Sequence, residues 1–378
     1  MRYIRITDIT FDGKLKSDGC KYLSSEVGRN YPVKKGDVLL ARSGATVGKA
    51  FIYDEDNDAC YAGYLIKASV QQEKVSPQFF FYFTQTSQYD EWKNRIFIQA
   101  TIQNISAEKY ARMSLCIPPL SEQHSIVSFL DDKCGKIDKM LEGKQKQIEL
   151  LAEMKQRIIA DAVTRGLNPD VKMKATNIPW LPEIPEHWRV IRNKWLFKEE
   201  DEKNIDLSYQ LLSFSRNKGI IPFSENTDKA PSASDLSKYK ILHKGQLLEN
   251  RMQAWSGMFG CSFIEGCVSP DYSVFSPLDG ANTEYYAHLF RTPLYVQQFA
   301  NASKGIGDGF NRLYTPQFQR IYAICPPLSE QLAIVSYITD KTAKIDALTG
   351  KLQQEIESIK EYKQRLISDV VTGQIKVC

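Results

Sequence analysis

The hexapeptide PPLSEQ occurs twice in this chain, beginning at Pro118 and again at Pro326. The two copies stay in step without a gap through SEQHSIVSFLDDKCGKID and SEQLAIVSYITDKTAKID, and again through EMKQRIIADAVT and EYKQRLISDVVT. Composition alone does not produce an ungapped match of this length, so the chain contains a duplicated unit. The fold is therefore restricted to two similar halves built around two similar elements.

Each copy of the motif precedes apolar residues spaced alternately three and four apart, which is the pattern of a heptad seam. The seam residues are Leu130, Ile137, Leu141, Ile148, Leu151 and Ile158 in the first copy and Ile338, Ile345, Leu352, Ile356, Ile359 and Leu366 in the second. The double proline, with Glu122 or Glu330 in the first turn, is typical of a helix start. The pattern predicts two helices of roughly 60 Å each. We expect them to pair as an antiparallel coiled coil; two separate helices on the surfaces of two domains are the alternative.

The segments before the helices have a different character. Residues 1–117 and about 178–325 are rich in Tyr, Phe, Val, Ile and Gly with short polar turns, which predicts mixed α/β domains (α+β in layout). We therefore divide the chain into a first domain at 1–117, a first helix at 118–166, a linker and second domain at 167–325, and a second helix at 326–378. The duplication predicts a pseudo-twofold internal repeat.

The opening of the two domains differs. The sequence IPWLPEIPEHWRVIRNKWLF precedes Tyr209 of the second domain, whereas Tyr3, its expected counterpart, lies almost at the start of the chain. The comparison leads us to expect a first domain without its opening segment, through a start placed too far downstream or through truncation.

Composition excludes several classes of protein. No apolar run approaches the length of a membrane span and no signal peptide is recognisable, so we expect a cytoplasmic protein without membrane contact. The eight cysteines include no CxxC pair and there are only four histidines, so we expect no metal site and reduced thiols. A net charge of +4 permits nucleic-acid binding without arguing for it.

Candidate catalytic motifs do not fit their chemistry. The segment Gly44–Lys49 resembles a phosphate-binding loop but is one residue short, so we interpret it as a turn between strands. Asp271 and Glu284 resemble a nuclease acid pair, yet Tyr286 stands where a lysine is expected, and GIGDGF at 305–310 lacks a dinucleotide-binding frame. No adenine-methylation motif is present. We expect no catalytic residues and no cofactor; a fused methyltransferase or nuclease, or a coiled-coil scaffold that binds only proteins, are the alternatives.

The order of these parts resembles the specificity (S) subunit of type I restriction-modification systems. The resemblance extends over essentially the whole chain, from the first domain through PPLSEQ, KQRIIADAVTRGL and IPWLPEIPEHWRV to the second PPLSEQ and KQRLISDVVTGQI. It implies a non-catalytic subunit with two target recognition domains, each of which binds one half of a split target in double-stranded DNA. It also implies that the helices set the spacing and dock two methylation (M) subunits, through which restriction (R) subunits join. The methyltransferase and ATP-dependent endonuclease activities would belong to the assembled complex.

DNA reading requires basic side chains for phosphates and amide or guanidinium groups for base edges. Two kinds of loop supply such groups at matching positions in the two domains. The candidates in the first domain are Arg42, Ser43, Thr46 and Lys49, together with Gln99, Thr101, Gln103 and Asn104. The candidates in the second domain are Asn250, Arg251 and Gln253, together with Lys304, Asn311 and Arg312. We expect the neighbouring Trp255 to be a packing residue.

Overall fold

The computed structural model describes residues 1–10, 15–44, 46–98, 104–216, 218–225, 235–305 and 311–377. The chain divides into two compact units. Unit 1 consists of Met1–Gln147 and Lys351–Cys378, and unit 2 consists of Ile148–Gly350. The boundary between the units therefore lies within both long helices, whereas the sequence-based division treats each helix as a separate segment.

Unit 1 begins with a small mixed domain. Its elements are β1 (Arg2–Ile4), β2 (Lys21–Tyr22), α1 (Ser25–Gly28), β3 (Pro32–Val33), β4 (Val38–Ala41), β5 (Ala50–Ile52), β6 (Ala59–Tyr61), β7 (Leu65–Ala68), α2 (Pro77–Phe83), α3 (Ser87–Ile98) and α4 (Ala107–Ala111). A three-stranded antiparallel sheet has the order β5-β4-β7. A second sheet has the order β2-β1-β6-β3, in which β1 and β6 are parallel.

The first long helix is α5 (Leu120–Arg165), and the elements of the second domain follow it. They are β8 (Met173–Ile178), β9 (Leu181–Pro185), β10 (Arg189–Arg192), β11 (Phe197–Glu200), β12 (Leu212–Ser215), β13 (Gly219–Pro222), β14 (Lys240–Leu242), β15 (Leu247–Asn250), β16 (Phe259–Cys261), β17 (Gly266–Val268), β18 (Tyr272–Pro277), α6 (Thr283–Phe290), α7 (Pro293–Ala302), α8 (Thr315–Arg320), β19 (Tyr322–Cys325) and the second long helix α9 (Leu328–Val371). The main sheet has the order β11-β18-β15-β16, and the remaining strands form two-stranded pairs.

The two domains are built on the same plan. The three strands β5-β4-β7 of unit 1 correspond in order and register to β16-β15-β18 of unit 2. Three helices then follow in each domain before the long helix. In both domains these helices pack against the sheet. The buried apolar residues of the sheet belong to the same core as residues of the three helices and of part of the long helices. The mixed α/β class and the internal repeat are confirmed.

The long helices run antiparallel within each unit. In unit 1, Lys363 Nζ donates to Asp138 Oδ1 at 2.5 Å, and Lys144 Nζ donates to Glu355 Oε2, so α5 and α9 advance in opposite directions. In unit 2, Lys155 Nζ donates to both carboxylate oxygens of Asp346 at 2.7 Å, and the apolar residues near position 160 of α5 share a core with Ile334 and Ile338 of α9. All twelve predicted seam residues are buried or half-buried, as a heptad seam requires.

The repeated glutamine of PPLSEQ attaches each long helix to its domain. Gln123 Nε2 donates to the carbonyls of Lys74 (2.9 Å) and Pro118 (2.7 Å), and its Oε1 accepts from the Ser76 N–H (2.8 Å). Gln331 repeats the arrangement with the carbonyls of Gly280 and Pro326 and the N–H of Asn282. Both glutamines are fully buried. This pair explains physically why the motif recurs, since a buried amide needs all of these partners.

Candidate nucleic-acid interface

The first candidate loop lies in unit 1 between β4 and β5, which confirms the interpretation of Gly44–Lys49 as a turn between strands. The loop closes on itself, because the Ala41 N–H donates to the Lys49 carbonyl and the Gly48 N–H donates to the Ala41 carbonyl, both at 2.8 Å. Gly48 has φ +80°, and a Cβ there would collide with the Lys93 side chain of α3. Tyr89 of the same helix donates its hydroxyl to the Gly48 carbonyl at 2.8 Å. The loop is therefore fixed at its base by α3.

The second candidate loop of unit 1 lies beside the first. The Ile105 N–H donates to the Arg42 carbonyl at 2.9 Å, and Ser43 pairs with Asn104. Arg42 and Thr46 are exposed, whereas Ser43, Lys49 and Asn104 are half-buried. The structure thus brings Arg42, Ser43 and Asn104 together, while Gln99, Thr101 and Gln103 lie outside the described residues.

Unit 2 repeats this arrangement with different side chains. The loop after β15 turns at Gly257, which has φ +81° and packs so closely on Val296 of α7 that a Cβ would collide with it. The Leu313 N–H donates to the Arg251 carbonyl at 3.1 Å, which is the counterpart of the contact between Ile105 and Arg42. Lys304 and Arg312 exchange two backbone hydrogen bonds of 2.9 Å at the base of the second loop. Each domain therefore presents two adjoining loops at one place in the fold.

The candidate side chains of unit 2 are not equally available. The Arg251 guanidinium donates to the carbonyls of Asp271 (2.9 Å) and Pro270 (2.5 Å), and Arg312 forms an ion pair of 3.4 Å with the Asp271 carboxylate. Asp271 therefore joins the two loops. Gln253 is exposed, and its Oε1 accepts a hydrogen bond of 3.2 Å from Asn250. Asn311 and Lys304 are exposed.

Sequence reasoning missed several residues at this surface. Arg216 donates to the Ser256 carbonyl at 2.9 Å and to its hydroxyl at 2.7 Å, which adds a cation beside the first loop. Met252 and Tyr314 are exposed next to candidate residues. Trp255, which we expected to be a packing residue, is 42% exposed, and its ring N–H donates to the Met252 carbonyl at 2.9 Å, so it packs only in part. Tyr286, by contrast, is fully buried in the aromatic core.

A buried carboxyl group lies directly below the first loop of unit 2. Glu249 is fully buried on β15, one residue before Asn250, and neither of its oxygens has a hydrogen-bond partner in the described part of the chain. Burial raises the pKa of Glu249 well above its usual value; Arg251 and Lys240 oppose the rise and Glu199 adds to it. The group is therefore held protonated, since an ionised carboxylate without a partner is too costly to bury.

Neither a metal-binding cluster nor a membrane-spanning helix is found among the described residues. No group of three or more His, Cys, Asp or Glu side chains in those ranges could hold a metal ion. No described helix is long and apolar enough to span a membrane.

Two domains of the same plan, each with a matching pair of adjoining loops and each followed by a long helix, define a class of protein with a duplicated domain-and-helix unit. The chain matches the family model "Type I restriction modification DNA specificity domain" at residues 3–150 and 185–358. It belongs to that family, and it is a DNA specificity subunit of a type I restriction-modification system.

Curated relatives share this assignment, and solved structures share the fold. The chain is 24% identical over 361 residues to a putative type I restriction enzyme MjaX specificity subunit from Methanocaldococcus jannaschii, covering 90% of this chain and 79% of the relative. It is 21% identical to the StySPI specificity subunit from Salmonella potsdam, covering 90% and 74%. A chain from a structure of the assembly of a type I R-M system matches with TM-score 0.71 at 16% identity, covering 99% of this chain and 92% of that one. The HsdS subunit from Thermoanaerobacter tengcongensis matches with TM-score 0.52 at 16% identity, covering 99% and 90%.

Proposed function

We propose that each domain reads one half of a bipartite sequence in double-stranded DNA through its pair of adjoining loops. The observation that carries this proposal is the repeated anchoring of the loops by the contacts of Ile105 with Arg42 and of Leu313 with Arg251. The scaffold of the two sites is the same while the side chains on it differ. Two sites of one design with different side chains suit two different half-sites.

The available side chains suit both tasks of a DNA reader. Arg42, Lys304 and Arg216 provide positive charge that can neutralise phosphates, which positions a protein on the duplex without reading its sequence. Gln253 presents an exposed amide, and Gln or Asn can bind the adenine edge with two hydrogen bonds in the major groove. The Arg251 guanidinium already binds two backbone carbonyls, so we assign it to holding the loop in place.

The helices, in this proposal, fix the separation of the half-sites and dock the methylation subunits. Two pairs of exposed apolar residues occupy matching positions of the repeat, Met140 with Leu348 and Met154 with Tyr362. Unit 1 contains Met140 and Tyr362, both close to the ion pair of Asp138 with Lys363. Unit 2 contains Met154 and Leu348, both close to the ion pair of Lys155 with Asp346. Because exposed apolar residues occupy equivalent positions in both units, we expect two equivalent docking sites. The restriction subunits would join through the docked methylation subunits.

The reading function is tested by replacing Gln253 with Ala. We expect one half of the methylated motif to become degenerate or weakly modified, at a cost of about 1–3 kcal/mol if the amide binds a base with two hydrogen bonds. Sequencing of DNA methylation in cells that carry the variant measures this. The control is Gln353→Ala, an exposed glutamine of α9. A change in both halves of the motif, or an unchanged motif, would contradict the assignment.

The docking function is tested by the double change Met140→Asp and Tyr362→Asp in unit 1. Because charged side chains cannot be buried without a partner, we expect the modification complex to lose one methylation subunit and keep the other. Native mass spectrometry of the purified complex gives the stoichiometry. The matched double change, Met154→Asp with Leu348→Asp, should also remove one. Loss of both subunits from either variant, or of none, would refute two separate docking sites.

A further inference from the structure

The β6–β7 turn lies beside the two candidate loops of unit 1. A hydrogen bond of 2.9 Å from the Leu65 N–H to the Ala62 carbonyl closes it. Arg42 connects it to both loops, because the Arg42 N–H donates to the Tyr64 carbonyl at 2.9 Å and the Arg42 carbonyl accepts from the Ile105 N–H at 2.9 Å. Three segments of unit 1 therefore meet at one arginine of the candidate nucleic-acid interface.

The tip of this turn carries Tyr64, whose side chain is 68% exposed. In the described part of the chain, its hydroxyl forms no hydrogen bond and its ring forms no aromatic contact. The preceding Gly63 has open space where a side chain would stand, so nothing there narrows the approach to the ring. A single exposed aromatic residue needs no explanation by itself, but the place of Tyr64 beside Arg42 gives it one.

Unit 2 has the same turn, between β17 and β18. The strand pairings put Asp271 at the position of Tyr64, and the same hydrogen bond closes the turn, here from the Tyr272 N–H to the Ser269 carbonyl at 3.0 Å. The Asp271 side chain is 50% exposed, although β11 lies along the neighbouring edge of β18 in this unit. An open tip of the turn therefore belongs to the plan of both domains.

The two turns differ in the groups that they leave free. In unit 2 the Arg251 guanidinium binds the Asp271 carbonyl and Arg312 pairs with its carboxylate, so the tip holds the loops together. In unit 1 the backbone N–H of Arg42 makes the connection, and the Arg42 guanidinium and the Tyr64 ring have no partner among the described residues. The same position thus serves attachment in unit 2 and is available to a ligand in unit 1.

The charge of the counterpart indicates which part of DNA this position faces. Even a paired carboxylate is unfavourable against phosphates, so the position of Asp271 suits a groove better than the sugar-phosphate backbone. Tyr64 presents mainly an apolar ring there, and the thymine 5-methyl group is the apolar group that base edges present in the major groove. The neighbouring Arg42 supplies positive charge for phosphates.

We propose that Tyr64 is a specificity residue of unit 1, whose ring packs on the 5-methyl group of a thymine in the major groove. The proposal rests on the proposed function, in which unit 1 reads one half-site, and it adds a third reading element to the two loops. Tyr64 selects a T·A pair at one position of that half-site. Unit 2 makes no contact of this kind, because Asp271 occupies the equivalent position.

The change Tyr64→Ala in the full chain tests this, with methylation sequencing of cells that also make the methylation subunits. We expect one T·A position to become degenerate, in the half of the motif that Gln253→Ala leaves intact. Tyr64→Phe should keep the wild-type motif, because it keeps the ring. The control Tyr22→Ala removes a tyrosine of β2 with nearly the same exposure, 69%, and it should leave the motif unchanged.

A duplex with uracil in place of that thymine tests the contact itself. Uracil lacks only the 5-methyl group, so the purified modification complex should bind this duplex about fourfold more weakly, which is the effect of losing one buried methyl group. The complex with Tyr64→Ala should bind the two duplexes equally. Equal binding of both duplexes by the wild-type complex would overturn the proposal.

The variants also separate failure of this inference from failure of the proposed function. Weaker modification of the half-site with unchanged base preference, or a Tyr64→Phe motif as degenerate as that of Tyr64→Ala, would overturn the contact of the ring with a base. If Arg42→Ala weakens binding of the duplex while Tyr64→Ala has no effect, unit 1 still binds DNA and only the role of Tyr64 is wrong. If neither change has an effect, reading by unit 1 is wrong as well.

Discussion

At the scale of single residues, the burial of Glu249 in unit 2 costs free energy. Its carboxyl group is buried beside the aromatic core, opposite Phe259 and Ser273 on neighbouring strands, and it has no described hydrogen-bond partner. The counterpart of Glu249 in unit 1 is Leu40. The strand therefore requires only an apolar side chain at this position.

We expect Glu249→Gln to stabilise the protein at high pH more than at low pH. The unfolded glutamate ionises above roughly pH 4.3, whereas the folded one stays protonated, so stability is full below that pH and falls as the pH rises. Each pH unit in this window removes up to about 1.4 kcal/mol, and the variant is free of this loss. Thermal melting at pH 5 and at pH 8 measures the difference. The exposed Glu225→Gln is the control, and a pH-independent difference would show that Glu249 is ionised in the folded protein.

At the scale of elements, each long helix depends on one side chain at its start. We expect Gln123→Ala to destabilise unit 1, because it leaves the Ser76 N–H and the Lys74 and Pro118 carbonyls without a partner. An unsatisfied buried group costs about 1–3 kcal/mol. Unfolding in urea measures the loss, with the exposed neighbour His124→Ala as control. Gln331→Ala should behave alike in unit 2; equal effects of Gln123→Ala and His124→Ala would disprove the role.

The helices were also the elements that the sequence predicted best. The apolar residues of their seam repeat with a strict period, and such a period indicates which side of a helix is buried. Residues such as Ile148 and Ile356 could therefore be assigned to the seam before any contact was known. The loop pairs were found because they interrupt apolar strands at matching places. What the sequence did not reveal are contacts between distant segments, such as Trp188 with Glu330 or Arg251 with the Asp271 carbonyl. Such contacts leave no local pattern in the sequence.

At the scale of the whole molecule, the proposal of fixed spacing predicts the effect of a matched insertion. We would add seven residues after Gln147 in α5 and seven after Gly350 in α9. A heptad in both helices keeps the seam in register and lengthens each by about 10 Å, or roughly three base pairs. Methylation sequencing should show a spacer longer by about three base pairs with both half-sites unchanged.

Insertion of the heptad into α5 alone is the control. It shifts the partners of the ion pairs Lys144 with Glu355 and Lys155 with Asp346, so we expect a loss of stability and of methylation. An unchanged spacer in the matched variant, or altered bases in either half-site, would rule out helices that only measure distance.

The attachment of Gln123 and Gln331 has a consequence for how such a protein can diverge. Every domain atom that shares a described hydrogen bond with the side chain of these two glutamines belongs to the backbone. Mutation changes side chains and leaves backbone amides and carbonyls in place, so either domain can accumulate substitutions at these positions without loosening its helix. The hydrogen bonds that attach each helix do not depend on the side chains of the residues that they join. The loops of either domain can therefore change under selection while the attachment of the long helices is kept.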